Sequence, residues 1–129
     1  MELYNKQIIT EINKLIELGI SFCVATIVDA SSGSPGRTGF KLIYIENGKT
    51  SGTVGGGALE LSIIEKCKSC FEKKKSSFFE FDLTEDLGMA CGGNVKVFIE
   101  FFEAIKTAYL FGAGHMGKSL TPLLNSINF

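Results

Sequence analysis

The sequence has little of several features that mark particular protein classes. It contains no Trp, one Arg and one His, and its formal net charge is −1 at pH 7. This balance predicts no basic nucleic-acid surface. No stretch approaches the ~20 apolar residues of a membrane span. The first residues, 1–6, lack a basic segment followed by an apolar core, so we expect neither a membrane segment nor a secretory signal.

What the sequence does contain is typical of one globular domain. Hydrophobic residues make up 45% and charged residues 21% of the 129 residues, which excludes disorder. Four cysteines without an export signal predict a cytoplasmic protein with free thiols. Gly is 15 of 129, about 12% against a usual ~7%. The single Arg and the single His both lie in glycine-rich segments.

Hydrophobic periodicity predicts an α/β domain over residues 1–104. We expect a compact mixed β-sheet with flanking helices. The predicted helices span 3–18 and 58–75, and the predicted strands span 20–29, 40–45, 49–54, 78–83 and 95–102. Asn47-Gly48 joins two of these strands and is a strong hairpin signal.

Residues 105–129 predict the start of a second, Rossmann-like domain. The pattern is a strand at 107–111, a glycine turn at 112–117 and a helix over 118–126, and only this first unit of such a fold is present. A strand, turn and helix cannot bury their apolar faces alone. The segment must therefore pack on the first domain, swap onto another copy or stay disordered.

Two glycine-rich segments are candidates for ligand binding. Residues 32–41 combine the Ser34 hydroxyl, freed backbone amides, Arg37 and Lys41, which suits an anion; a surface loop between strands is the alternative. Residues 52–60 contain Gly55, Gly56 and Gly57 at a predicted strand-to-helix junction, followed by Glu60. A tight turn needs one glycine rather than three, so a ligand site at the helix N-terminus is favoured.

The Glu60 carboxylate has several interpretations from its position alone. It can complement the helix dipole, hydrogen-bond a heterocycle or contact a metal.

A third segment places Cys91 before Gly92 and Gly93. A Cys in a glycine loop is more reactive than one in a core, because its thiolate can be solvated; a small buried hydrophobe is the alternative. Cys67 and Cys70 lie three residues apart on the predicted helical stripe without a second ligand pair, so core packing is favoured for them. The same interpretation holds for Cys23 in a buried strand.

A fourth segment, Gly112-Ala113-Gly114-His115-Met116-Gly117, matches the dinucleotide pattern G-x-G-x-x-G between a predicted strand and helix. A lone match is weak evidence. His115 is either a phosphate or ligand contact or simply a residue of the helix N-terminus.

Taken together, these motifs resemble the XdhC/CoxI family, which comprises maturation factors for molybdenum hydroxylases such as xanthine dehydrogenase. The resemblance runs from about Ile20 to Phe129. It rests on four blocks in order, which are Gly33-Ser34-Pro35 with Gly39-x-Lys41, Gly52-Thr53-Val54-Gly55-Gly56-Gly57-x-x-Glu60, Cys91-Gly92-Gly93, and Phe111-Gly112-Ala113-Gly114-His115-x-Gly117. In the family an Arg commonly follows the Pro directly, whereas here Gly36 separates Pro35 from Arg37.

The resemblance implies an α/β domain followed by a Rossmann-like domain, and a cofactor chaperone rather than a catalyst. Its cargo would be the molybdenum cofactor, bound transiently while its terminal sulfur is installed and before insertion into the apo-hydroxylase. A cysteine desulfurase and further copies of the chain are implied partners. The glycine cradles fit the cofactor phosphate, Glu60 fits a pterin edge, and Cys91 fits molybdenum or a transferred sulfur.

Two other functions stay open from the residues themselves. One is a nucleotide-binding, oxidoreductase-associated subunit, supported by the dinucleotide pattern of residues 112–117. The other is an oligomerising interaction module without ligand. NAD binding is not expected for this chain alone, because only 12 residues follow Gly117 and none is Asp or Glu.

Overall fold

A computed structural model describes residues 2–88, 92–127 and 129. The chain forms three helices and five strands within these residues. In order they are α1 (Glu2–Glu17), β1 (Phe22–Ala30), β2 (Lys41–Ile45), β3 (Thr50–Gly52), α2 (Gly57–Lys73), β4 (Ser77–Asp82), β5 (Asn94–Phe102) and α3 (His115–Ser126). The elements predicted up to residue 102 are all present, with ends that shift by a few residues.

The five strands form one sheet in the order β3-β2-β1-β5-β4. Every pair of neighbouring strands is antiparallel. The predicted α/β class with flanking helices is confirmed, but the sheet is antiparallel rather than mixed. A mixed sheet requires at least one parallel pair of neighbouring strands, and the helical connection α2 between β3 and β4 could have supplied one. These two strands run in the same direction, yet they occupy opposite edges of the sheet and never pair.

Each face of the sheet carries its own apolar core. One core lies between the sheet and α2, and its β1 members are Cys23, Ala25 and Ile27. The other lies between the sheet and α1 and includes Phe22 and Val24 of the same strand. Alternate residues of a strand point to opposite faces. β1 is therefore apolar at every position from 22 to 25, as expected of a strand covered on both sides.

The C-terminal segment corrects one prediction. A strand was expected at 107–111, but residues 103–113 lie in no helix or strand. An extended segment becomes a strand only when another strand supplies its hydrogen bonds, and no described strand lies beside this one. The helix that follows begins at His115, earlier than the predicted start at residue 118, and contains Pro122. Tyr109 is 80% exposed and Phe111 is 100% exposed.

Among the described residues, no helix is both long and apolar enough to cross a bilayer.

Candidate functional site

The glycine turn between β3 and α2 has backbone conformations that only glycine adopts without strain. Gly55, Gly56 and Gly57 have φ values of 119°, 79° and 61°. Positive φ is unfavourable for residues with a Cβ atom. Three consecutive glycines therefore let the chain leave the sheet edge and enter α2 within a few residues.

Glu60 holds this turn in place. Its Oε2 atom accepts hydrogen bonds from the Thr53 hydroxyl at 2.6 Å, the Gly56 amide at 3.2 Å and the Val54 amide at 3.3 Å. The Thr53 hydroxyl oxygen in turn accepts from the Gly55 amide at 3.2 Å. The turn thus contains an anion of its own, and the amides of residues 54–56 point at Glu60 or Thr53 rather than into solvent.

The first glycine-rich loop packs directly against this turn. A methyl group on Gly55 would come within 2.7 Å of the Gly36 nitrogen, and one on Gly36 would come within 2.8 Å of the Val54 carbonyl oxygen. Both positions therefore require glycine for close approach of the two backbones. The structure brings the segments 32–41 and 52–60 together at one end of the sheet.

The outer surface of the turn is open. Methyl groups on Gly56 or Gly57 would meet no described atom within 4 Å. Gly56 is the N-cap of α2, and no side chain caps the helix there among the described residues. The first amides of a 17-residue helix therefore face an accessible surface. Arg37 follows Gly36 and is exposed, so the loop that packs against this turn carries one accessible cationic side chain.

Ser34 and Lys41 serve the loop in other ways. The Ser34 hydroxyl donates to the Gly36 carbonyl at 3.0 Å. The Lys41 ammonium donates to the Thr26 hydroxyl at 3.0 Å. Lys41 pairs with Thr26 in the sheet and shares the α1 side of β2 with Ile43. The Lys41 amine is thus directed to the opposite face from α2, away from the open surface of the glycine turn.

The third segment lies at the same end of the sheet. The Ser31 hydroxyl accepts from the Asn94 amide at 2.8 Å, and the Ser31 amide donates to the Asn94 carbonyl at 3.0 Å. A side chain on Gly93 would collide with Ser31, so Gly93 lies against the start of the first glycine-rich loop. Cys91 lies outside the described residues, and its predicted place at this site stays a prediction.

The other three cysteines are core residues, as predicted. Cys23, Cys67 and Cys70 are free and buried in the α2-side core. Burial, with a smaller contribution from Cys70, raises the pKa of Cys23 to about 12. Burial likewise raises the pKa of Cys67 and of Cys70 above the ordinary thiol value. A neutral thiol is a poor nucleophile and metal ligand. Within the described residues, no group of three or more His, Cys, Asp or Glu side chains could hold a metal ion.

The dinucleotide-like turn keeps the local geometry of its pattern. Gly112 has a φ of 116°, and Gly114 is the N-cap of α3. A methyl group on Gly117 would come within 2.5 Å of the Gly112 carbonyl oxygen, so the third glycine lets the helix pack on its own turn. His115 is exposed in the first turn of α3.

Tyr4 supports the site and was not singled out in the sequence. Its hydroxyl oxygen accepts from the Lys41 amide at 3.0 Å and lies 3.0 Å from the Thr53 carbonyl oxygen. It therefore ties α1 to the start of β2 and to the residue that follows β3, just before the glycine turn. The available signal was its place on the apolar stripe of α1, one turn before Ile8, where a phenol brings a polar group into an apolar face.

Comparisons with known proteins agree with the fold. Residues 15–82 match the XdhC and CoxI family. The chain is 32% identical over 117 residues to the uncharacterized protein YqeB of Escherichia coli (strain K12), and this match covers 88% of the chain and 21% of YqeB. The chain thus spans about a fifth of that relative's length.

A solved structure shares the architecture. A crystal structure of a xanthine dehydrogenase from Bacillus halodurans superposes with a TM-score of 0.55 at 23% identity. The superposition covers 68% of this chain and 29% of that chain. At this level of identity the likeness shows the fold.

Proposed function

The chain belongs to the XdhC and CoxI family, and we propose that it is an accessory factor for a xanthine dehydrogenase-type molybdenum hydroxylase. In this role it binds the molybdenum cofactor as cargo and assists its sulfuration and its insertion into the apo-hydroxylase. The observation that carries the proposal is the family match over residues 15–82, which includes both glycine-rich segments that meet at the N-terminus of α2.

The phosphate end of the cofactor fits the open surface of the glycine turn. Open space above Gly56 and Gly57 leaves room for a phosphate at the amides of the α2 N-terminus. Arg37 is exposed on the loop whose Gly36 packs against Gly55, and its guanidinium can bind phosphate oxygens in pairs. The proposal thus assigns the phosphate to α2 and Arg37, and it leaves Lys41 outside this contact.

Glu60 contributes to the proposed site by shaping it. Its Oε2 is occupied by the Thr53 hydroxyl and by amides of the turn, so any contact with a pterin edge uses Oε1. The carboxylate fixes the path of the turn and directs the amides of residues 54–56 inward. The amides left for cargo are those at the start of α2.

Cys91 is the proposed thiolate for molybdenum or for a transferred sulfur. Its neighbour Gly93 lies against Ser31, at the start of the loop that carries Arg37. The three core cysteines are poor candidates, because burial raises their thiol pKa values. The proposed partners are the apo-hydroxylase that receives the cofactor and a cysteine desulfurase that supplies sulfur. A cytoplasmic location is part of the same proposal.

The test is anaerobic co-purification with the cofactor, measured by the fluorescence of its oxidised pterin. We expect wild-type protein to retain cofactor and Arg37→Ala to bind it about 10- to 100-fold more weakly, since hydrogen bonds to charged groups contribute about 1.5–3 kcal/mol. Lys49→Ala is the matched control, because it removes one exposed positive charge from the β2–β3 hairpin. Equal retention by Arg37→Ala and wild type would refute the assigned site, and no cofactor on wild type would refute the function.

A nucleotide-binding, oxidoreductase-associated subunit is the second candidate. It is favoured by the close packing of Gly117 on the Gly112 carbonyl, which is the geometry of a phosphate-binding glycine turn. Titration with NAD separates the two functions.

A further inference from the structure

β4 forms an exposed edge of the sheet. It is the last strand in the order β3-β2-β1-β5-β4, and no described strand pairs with its outer side. Natural proteins protect such edges with Pro, bulges, inward-pointing charges or a covering segment. β4 has the sequence Ser-Phe-Phe-Glu-Phe-Asp, without Pro or Gly, and it pairs with β5 in unbroken register.

The hydrogen bonds around β4 show which of its backbone groups point outward. The Leu83 amide donates to the Gly93 carbonyl at 2.9 Å, toward the β5 side. Backbone amides and carbonyls along an antiparallel strand point alternately to its two sides. Those of residues 78, 80 and 82 therefore point away from β5. The Asp82 amide is already bonded to the Asp86 carboxylate at 2.8 Å. Phe78 and Glu80 therefore present their amides and carbonyls to the outer side.

Charges of opposite sign flank this edge. Lys73 and Lys75 precede β4 and line a cavity of about 410 Å³ between its first half and α2. Glu80 and Asp86 line a second cavity of about 440 Å³ between α2 and its last half. Glu85 is exposed next to Asp86. Glu65 and Lys66 line both cavities and offset each other in charge, so the edge is net basic where β4 begins and net acidic where it ends.

We propose that β4 pairs with β4 of a second copy of this chain, antiparallel and about a two-fold axis. In such a pair the beginning of one strand lies opposite the end of the other. The lysine end of each copy then faces the acidic end of its partner, so one strand supplies both halves of a complementary interface. The five-stranded sheet becomes continuous across the two copies.

The register follows from the outward backbone groups. Phe78 of each copy pairs with Glu80 of the second copy, which uses both free residues of the edge in two hydrogen-bonded pairs. The axis then passes through Phe79, which lies on the α2 side of the sheet. A shift that placed Glu80 opposite Glu80 of the second copy would oppose like charges and is disfavoured.

The edge itself is tested by sedimentation of the 129-residue protein. We expect a dimer at about 0.1 mM, the weak range of affinity, and a monomer for Glu80→Pro. Pro removes the outward amide and leaves the β5 ladder intact, because residue 80 points away from β5. Glu80→Gln, which removes the same charge but keeps the amide, is the matched control, and it should weaken the dimer far less than Glu80→Pro. Circular dichroism checks that each variant is folded.

The charge pattern gives a second test that does not depend on Pro. Lys75→Glu and Glu85→Lys should each weaken the dimer about three- to tenfold, because each change affects two symmetric contacts. The double variant should recover most of the affinity. A monomeric wild type, or a dimer that persists in Glu80→Pro and in both single charge variants, overturns the proposal. If Glu80→Pro unfolds, the charge series decides. No cofactor enters these measurements, so their outcome is separate from that of the proposed function.

Discussion

At the scale of single residues, Glu60 has a clear structural role. Its position in the sequence was compatible with a dipole effect, a ligand contact or a metal contact. The structure shows that Oε2 organises residues 53–56 into the glycine turn. A carboxylate suits this role because one oxygen can accept several hydrogen bonds from amides held close together.

We expect Glu60→Ala to lower the free energy of unfolding by about 1–3 kcal/mol, since the partly buried amides of Val54 and Gly56 lose their acceptor. Glu60→Gln keeps an acceptor oxygen and should lose less. Urea denaturation measures both, with Glu65→Ala as the control because Glu65 is exposed on the same helix. Equal stability of Glu60→Ala and Glu65→Ala would contradict the assigned role.

At the scale of elements, α2 and α3 each begin at a glycine N-cap, but their surroundings differ. α2 is packed on the sheet and its first residues adjoin the loop that carries Arg37. α3 has no buried residue among those described, and no described strand lies beside the segment 107–111. A dinucleotide needs a crevice between neighbouring strands in addition to a glycine turn.

We therefore expect no NAD or NADP binding tighter than about 1 mM by this chain in calorimetric titration. The glycine turn at 112–117 can contact a pyrophosphate, but the described residues provide no second strand to bind the adenosine ribose. Gly117→Val is the informative variant if binding does occur, because its side chain would collide with the Gly112 carbonyl. Micromolar binding that this variant abolishes would favour the nucleotide-binding function.

At the scale of the whole molecule, one sheet separates two apolar cores, and three cysteines lie in the core on the α2 side. The Cys23 thiol lies 3.6 Å from the Cys67 carbonyl oxygen, within hydrogen-bonding range for sulfur. Burial favours the neutral form of each thiol, so we expect the free energy of unfolding to fall at alkaline pH.

The sign of this coupling follows from the thiol pKa. Burial raises the pKa of Cys23 from 9.0 to about 12. Below pH 9 both the folded and the unfolded chain keep the proton; above it the unfolded chain releases its proton first, so stability falls as pH rises. Wild type should lose free energy of unfolding between pH 8 and about pH 10.5, and Cys23→Ala should lose about 1–2 kcal/mol less of it over the same interval. Urea denaturation at the two pH values measures the free energy of unfolding of both proteins. Equal losses in wild type and Cys23→Ala would contradict the prediction.

The sequence by itself determined most of the elements, because periodicity is a local property. The 3.6-residue stripe of α1, the Asn47-Gly48 hairpin and the apolar run of β1 each fix a short segment without reference to distant residues. The three consecutive glycines likewise located the turn at the start of α2. The strand predicted at 107–111 failed because a short apolar segment cannot create the neighbouring strand that its hydrogen bonds require.

Only the tertiary structure decided which of these segments meet. The contact of Gly36 with Gly55 and the direction of Lys41 toward the α1 face depend on strand order and register. Residues far apart in the chain set that order, so no local pattern encodes it. The same holds for β4, whose alternating sequence predicted a strand, while its place at the sheet edge follows from β5 pairing with β1.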